Sequence, residues 1–338
     1  MKKPLILAIE TSCDDTSAAL IDGNCDVLSN VISTQKEVHA KYGGVVPELA
    51  SREHIRTLIP IVEMALEKAE IRLKDIDAVA VSANPGLIGS LLVGVSFAKG
   101  LAFSLQKPLI AVNHIFGHVF ANFLEHKNIE FPFLSLIVSG GHTELVIFSS
   151  SVEYTILGKT VDDAAGEAFD KIGKLLGLPY PGGPFINSLA KGGNKLAIEF
   201  PLPMLKHDNF DFSFSGLKTA GMLYLKEKGT LDEAATHDFA ASFQHAIVEV
   251  LFQKTIKALK KHSLKTILLA GGVAANSELR STFTNYCNES NIRLFYPSEK
   301  YCTDNAAMIG AAAQFKYKKK KFASLDLNAS SVKGMKLL

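Results

Sequence analysis

Short apolar runs bounded by polar, glycine-rich turns recur along this chain, with longer stretches between them where apolar residues return every three or four positions. The first pattern marks buried strands and the second marks one face of a helix. Residues 5–9 (Leu-Ile-Leu-Ala-Ile) predict a buried strand, and 16–21 turn back toward apolar to make a hairpin. From 48 to about 69, Leu49, Ile55, Leu58, Ile59, Val62 and Leu66 recur near helical spacing. Pro47 is placed to start that helix and Pro60 to kink or divide it. Residues 77–82 predict a strand, 84–90 a glycine-rich turn and 91–105 a helix; 109–112 predict a further strand running into a helix at about 113.

The same plan returns later. Residues 133–139 and 144–148 predict a second hairpin around Gly140-Gly141-His142-Thr143, and at an offset of 127 Leu7 meets Leu134, Ile9 meets Leu136 and Thr16 meets Thr143. Residues 265–269, the small-residue turn 270–276 and a helix opening at Ser277 mirror 77–105, while a strand at 292–296, a loop at 297–304 and a helix from 305 to about 317 mirror 109–124. The expectation is an α/β fold of two lobes around a cleft. Lobe I spans 1–112, with a C-terminal helix at about 305–325 packing back on it. Lobe II spans 113–304 and carries a largely helical insertion at about 151–262.

Composition narrows the setting. The 338 residues are 47% hydrophobic, enough for two real cores, and 36 basic against 34 acidic residues give no global charge that would select a partner. Basic residues gather locally at Lys316 and Lys318 to Lys321, which reads as a solvated helix end or as a nucleic-acid contact. Met1-Lys2-Lys3 precedes only a short apolar run that meets Glu10, unlike a signal peptide, and no run looks long enough to cross a bilayer. Cys13, Cys25, Cys287 and Cys302 lack metal-knuckle spacing. A reduced, cytoplasmic setting with no membrane partner is expected.

Chemistry concentrates at Asn113-His114-Ile115-Phe116-Gly117-His118. Two imidazoles four residues apart lie on one helix face and can share a metal ion. The zinc-protease helix would place a glutamate after the first histidine, where Ile115 stands. Asp304 follows the corresponding strand of the second half, so it would approach His114 and His118 across the cleft as a third ligand; taken alone it reads first as a helix cap ahead of Asn305. The loop Glu10-Thr11-Ser12-Cys13-Asp14-Asp15-Thr16 is an ordinary turn or a site for phosphate or metal-bound water. In the insertion, Asp162, Asp163 and Glu167 read as a solvated helix face, Asp170 as an acceptor for a ribose or ligand amine, and 179–184 as a rigid loop where bare backbone can approach a ligand. Residues 211–218 mix Phe212 and Phe214 with hydroxyls and Lys218, suiting nucleic acid or a packed loop.

These residues carry a resemblance. The stretches ETSCDDT (10–16), HAKYGGVVPELASREHIR (39–56), NPGLIGSLLVG (84–94), NHIFGH (113–118), IVSGGHTEL (137–145), DDAAGEAFDKIGKLLGLPYPGGP (162–184), DFSFSGLKT (211–219), GGVAAN (271–276) and TDNAAMIG (303–310) are similar, in order, to the TsaD family. These are bacterial tRNA N6-adenosine threonylcarbamoyltransferases, formerly labelled O-sialoglycoprotein endopeptidases. The resemblance implies the duplicated actin, Hsp70 and sugar-kinase (ribonuclease H-like) fold. It also implies transfer of a threonylcarbamoyl group from threonylcarbamoyl-AMP to N6 of the adenosine beside the anticodon in ANN-decoding tRNAs, with release of AMP.

By the same resemblance His114, His118 and Asp304 hold one divalent metal per chain, iron(II) or alternatively zinc(II). Substrate and nucleotide contacts fall on Ile137, Val138, Ser139, Gly140, Gly141, Asp170, Gly183 and Asn276, with Asn187 where many members have Asp. Asp15 stands where many have Glu, and Asp14 is the candidate general base. Expected partners are tRNA, a TsaB-like paralogue docking on the helix at about 48–69, and a TsaE-like ATPase; tRNA contact is expected at 316–321 and 206–218. Three rivals stay open on the residues alone. A metalloprotease needs the absent glutamate, a kinase of the same fold needs a glycine in residues 10–16, and a scaffold would bind nucleotide without modifying tRNA.

Overall fold

The computed structural model describes residues 3–331, so Met1 and Lys2 of the leader argument lie outside the described part. Among the described residues the chain forms two five-stranded sheets, and it divides into two compact units, Met1–Ile129 with Pro297–Leu338, and Glu130–Tyr296.

In the first unit β1 (Ile6–Glu10), β2 (Asp15–Ile21), β3 (Val27–Thr34), β4 (Ala78–Asn84) and β5 (Leu109–Asn113) lie in the order β3-β2-β1-β4-β5. β1 pairs antiparallel with β2, from Ile6↔Ile21 to Glu10↔Ser17, and parallel with β4. Helices cover both faces, which is why β1 reads as an unbroken apolar run. Leu7 and Ile9 belong to a core cluster with Leu58 and Val62 of the helix Pro47–Lys68 and with Val95 and Ala98 of the helix Ile88–Leu105. Ala8 and Ile21 meet the helix Ala306–Lys318, where a side chain at Gly310 would collide with Ile21. The helix Pro47–Lys68 runs undivided through Pro60.

The second unit repeats the plan. β6 (Phe133–Val138), β7 (Thr143–Phe148), β8 (Tyr154–Lys159), β9 (Thr266–Ala270) and β10 (Arg293–Phe295) lie in the order β10-β9-β6-β7-β8. Again three strands form an antiparallel meander and two add in parallel on the other side. The duplicated α/β fold is therefore present, with a third strand, β3 or β8, added to each expected hairpin. Both added strands are edge strands of mixed burial, so neither shows a clean alternation of polar and apolar residues. The stretch expected as an insertion accordingly starts with β8 and then becomes helical, through Ala165–Leu175, Gly182–Ala190, Ser215–Lys228 and Glu233–Lys261.

The two compact units divide after Ile129 and before Pro297, while the lobes were expected to divide at 112 and 304. The reason is packing: a Cβ on Gly117 would stand 2.9 Å from Ile309 Cδ1, so the helix His114–Phe120 lies directly on the helix Ala306–Lys318. Phe120 and Phe123 close the same contact on Phe315, with ring centroids 4.8 and 4.9 Å away. One expectation, about apolar length, is corrected. The helix Ile88–Leu105 does have the length and composition to cross a bilayer, yet its Leu91, Val95, Ala98 and Ala102 are buried within the first unit.

Candidate metal centre and glycine loop

β5 ends at Asn113, whose side-chain oxygen accepts the Phe116 N–H at 3.1 Å and so starts the helix His114–Phe120. His114 and His118 follow one turn apart, with rings edge-on at 4.7 Å between centroids. Asp304 comes from the far end of the chain. The capping of the helix Ala306–Lys318 is done by its neighbour: Asn305 Oδ1 accepts the Met308 N–H at 3.0 Å. Asp304 turns its carboxylate to the histidines, with Oδ1 3.5 Å from His114 Nε2 and 3.2 Å from His118 Nε2. All three candidate ligands therefore belong to the first unit, and the expectation that they come together from two lobes is corrected.

This group suits a metal ion. One donor atom from each residue lies within 4.8 Å of the others. Both ring nitrogens of His118 are buried without a hydrogen bond, and such groups are costly unless something coordinates them. Burial works against a charged His114, yet the carboxylates of Asp304 and Glu10 outweigh it and push His114 up to about 9, so the surroundings call for positive charge. Two imidazole nitrogens and one carboxylate oxygen fit iron(II) or zinc(II) and leave coordination positions open.

The loop 10–16 lies beside this group. Glu10 Oε2 is 3.0 Å and Ser12 Oγ 2.9 Å from His114 Nδ1. Both belong to the loop whose short polar groups pointed to a site for phosphate or metal-bound water, but the sequence did not indicate that Glu10 and Ser12 meet His114. The loop is held by Leu87, whose N–H donates to Ser12 O at 2.8 Å, and by His54, whose Nε2 is 2.9 Å from Cys13 O. Asp14 is half-buried on it. Burial, then the charges of Asp304 and Asp14, push the neighbouring Asp15 carboxyl up to about 7.

The other predicted residues gather in the second unit. Ile137 and Val138 end β6, and Ser139 N–H donates to His142 O at 2.8 Å to form the hairpin turn. Gly140 and Gly141 have nothing within 4 Å of where a Cβ would stand, so the Cβ side of the turn is open, while Gly166 packs against the Gly140 backbone. Gly271, at φ 91°, packs against Val138 where any side chain would collide with its carbonyl. Gly166 N–H donates to Ser139 O at 3.3 Å, a contact that no sequence spacing indicated. Asp170 accepts the Gly182 N–H at 2.8 Å and thereby holds the turn leading to Gly183; burial pushes its carboxyl up. Asn187 Oδ1 accepts from Ser277 N–H at 3.2 Å and Oγ at 2.8 Å. Asn276 caps its helix through Leu279 N–H and donates to Gln244 Oε1 at 2.6 Å, another partner missed from sequence.

Two nucleic-acid expectations and one expected solvated face change. Lys316 is buried, with Nζ donating to Ala111 O at 2.7 Å, so only Lys318 to Lys321 remain exposed in that cluster. Phe212 and Phe214 are fully buried and offer no stacking surface, and Lys218 is 2.6 Å from Asp163. Asp162 is a structural acceptor rather than part of a solvated face, taking hydrogen bonds from Ser213 Oγ at 2.5 Å, Phe214 N–H at 2.9 Å and Ser215 Oγ at 2.6 Å.

A family model described as tRNA N6-adenosine threonylcarbamoyltransferase (TsaD) matches residues 26–311. Curated relatives of that name include one from Syntrophomonas wolfei, 51% identical over 329 residues and 97% of both chains. Another, from Clostridioides difficile, is 52% identical over 330 residues, 97% of this chain and 98% of that one. Among solved structures, full-length HypF in its phosphate- and nucleotide-bound form superposes with a TM-score of 0.63 at 14% identity, over 94% of this chain and 47% of that one. The activator of 2-hydroxyisocaproyl-CoA dehydratase from Clostridium difficile gives 0.53 at 12% identity, over 98% and 100%. These two likenesses concern the fold alone.

Proposed function

The chain belongs to the tRNA N6-adenosine threonylcarbamoyltransferase family, and from that premise we propose that His114, His118 and Asp304 hold a divalent metal, iron(II) in the first instance and zinc(II) as the alternative. The reaction is transfer of a threonylcarbamoyl group to N6 of the adenosine beside the anticodon in ANN-decoding tRNAs. The donor in this reading is threonylcarbamoyl-AMP, and AMP leaves. The observation that carries the metal reading is the convergence of three donor atoms within 4.8 Å, with Ile115 where a protease would need its base.

When bound, the metal supplies positive charge that polarises a carbonyl or neutralises phosphate. The chain's own groups do the rest. In this reading the N–H groups of the Gly140-Gly141 turn, open on its Cβ side, donate to phosphate or to a developing oxyanion. Ile137, Val138 and Ser139 set the direction of that turn. Asp170 holds the backbone before Gly183, where a ligand can approach closely. Asn276 and Asn187 lie next to each other through Ser277, and the Asn187 amide keeps an acceptor oxygen where an aspartate would have offered two. In this reading Asp14, half-buried on the loop 10–16, is the base that takes the proton from the amine. The exocyclic amine is a weak nucleophile, so orientation supplies much of the rate.

The partners in this reading are tRNA, a TsaB-like paralogue and a TsaE-like ATPase, in the cytoplasm. The helix Pro47–Lys68 leaves Ile55 and Ile59 exposed one turn apart, and Ile88 and Leu92 do the same on the helix Ile88–Leu105; this apolar surface supports paralogue docking. The test is incubation of the chain with its partner proteins, threonine, bicarbonate, ATP and unmodified tRNA, followed by mass spectrometry of the nucleosides. The modified adenosine is expected, and His114→Ala or His118→Ala should lose both metal and product. Full product from metal-free protein would overturn the metal's role.

A further inference from the structure

We propose that Glu10 is a positioning residue for the metal: it fixes the tautomer of His114 and raises the donor strength of its Nε2. The inference rests on the metal reading above and deepens it. Glu10 ends β1 with no exposed surface, and both its oxygens are used. Oε2 is 3.0 Å from His114 Nδ1, and Oε1 accepts the Ser12 N–H. A carboxylate is rarely buried so completely unless it is paired and hydrogen-bonded.

A neutral imidazole carries one proton. A carboxylate oxygen has no proton to give, so the hydrogen between Glu10 and His114 sits on Nδ1. Nε2 is then left with its lone pair, and Nε2 is the nitrogen that faces Asp304 at 3.5 Å. Ser12 Oγ lies 2.9 Å from the same Nδ1, which gives that hydrogen a second acceptor. Withdrawal of the Nδ1 hydrogen toward a carboxylate makes the opposite nitrogen more basic, as in the carboxylate–histidine–metal arrangement.

The two histidines differ in this respect. Nδ1 of His118 is buried without any hydrogen bond, so no carboxylate holds that ring from the side opposite Asp304. His118 is held by its burial among its neighbours, whereas His114 is held by a charge. The stronger ligand of the pair is His114, and Glu10 makes it so. The backbone around Glu10 is built to keep that carboxylate in place: Thr11 Oγ1 donates to Ser90 O at 2.9 Å, and Leu87 N–H fixes Ser12 O.

The test compares Glu10→Gln, Ser12→Ala, His114→Ala and the unchanged chain for zinc(II) and cobalt(II) affinity, by competition with a chelator, with thermal melting of each protein as the control for folding. Glu10→Gln keeps the shape and the acceptor oxygen but removes the charge. It should weaken metal binding by about 10- to 100-fold, with a changed visible spectrum of the cobalt form. Ser12→Ala should weaken binding far less. A folded Glu10→Gln that binds both metals as tightly as the unchanged chain would overturn the inference. Should Glu10→Gln fail to fold, nitrogen-15 spectra of the unchanged zinc-loaded protein decide: a proton on Nδ1 of His114 is expected, and a proton on Nε2 would overturn it. If His114→Ala leaves metal binding untouched, the metal reading itself fails, an outcome distinct from failure at Glu10 alone.

Discussion

Replacing Lys316 with methionine tests whether the terminal lysine cluster is a single surface. Lys316 is 6% exposed on the helix Ala306–Lys318, and its ammonium reaches one acceptor, Ala111 O at 2.7 Å. Burial pulls its pKa down from 10.5 to about 8. That lowering means the charged form costs about 3 kcal/mol relative to a fully solvated lysine. The sign follows from proton counting. Below about 8 both folded and unfolded chains hold the proton, and the whole cost is present. Between about 8 and 10.5 the unfolded chain binds more protons, so stability rises with pH, and above 10.5 the contribution is flat.

Methionine removes the charge and keeps most of the stem, at the loss of one hydrogen bond of about 1 kcal/mol. Lys316→Met should therefore gain roughly 2 kcal/mol near neutral pH, and the gain should shrink and reverse as pH climbs through the lysine's range. The assay is denaturant unfolding of both proteins at a series of pH values, read as the difference between them. Carbon-13 labelling of the lysine side chain reports the titration directly. The same variant should bind tRNA as the unchanged chain does, while neutralising Lys318 to Lys321 should weaken binding and flatten its salt dependence. A variant less stable by the same amount at every pH would refute the buried-charge reasoning. Lost tRNA affinity in Lys316→Met would refute the assignment of Lys316 to the interior.

Three further outcomes are expected. Gly117→Ala sets a Cβ 2.9 Å from Ile309 Cδ1 and 3.2 Å from Met308 Cγ, so it should lower stability by about 1–3 kcal/mol and weaken metal retention, both measurable on one sample by melting and metal analysis. Gly271→Ala forces a side chain into a positive-φ position against Val138 O; it should impair AMP binding measured by calorimetry while leaving metal content unchanged, and equal AMP affinity would count against the contact. Ile55→Glu with Ile59→Glu should abolish co-purification with the paralogue without altering the melting temperature, and an intact complex would remove that helix from consideration as the docking surface.

Much of the fold was readable from local pattern. The apolar runs at β1, β4, β6 and β9 are buried on both faces, and burial on both faces is what makes a run unbroken. The edge strands β3 and β8 escaped because their mixed burial leaves no period to detect. Within the candidate site, the pair His114 and His118 was visible because four-residue spacing on a helix is itself a geometry. Lys316 misled because a lysine in a run of lysines looks solvated whichever way the helix turns, and only packing against the sheet settles that turn.

The sequence by itself determined the repeated plan of hairpin, strand–turn–helix and strand–loop–helix, the spacing of the two histidines, the positions of the glycines and membership of a family. These depend on neighbours along the chain, or on motifs long enough to be specific. Tertiary structure decided the rest. It put Asp304 and both histidines in one unit, passed the helix cap to Asn305, and brought Glu10 onto His114 from 104 residues away. Contacts at that separation leave no periodic trace in the sequence, because they are made by β1, β5 and the helix Ala306–Lys318 packing together rather than by any one of them.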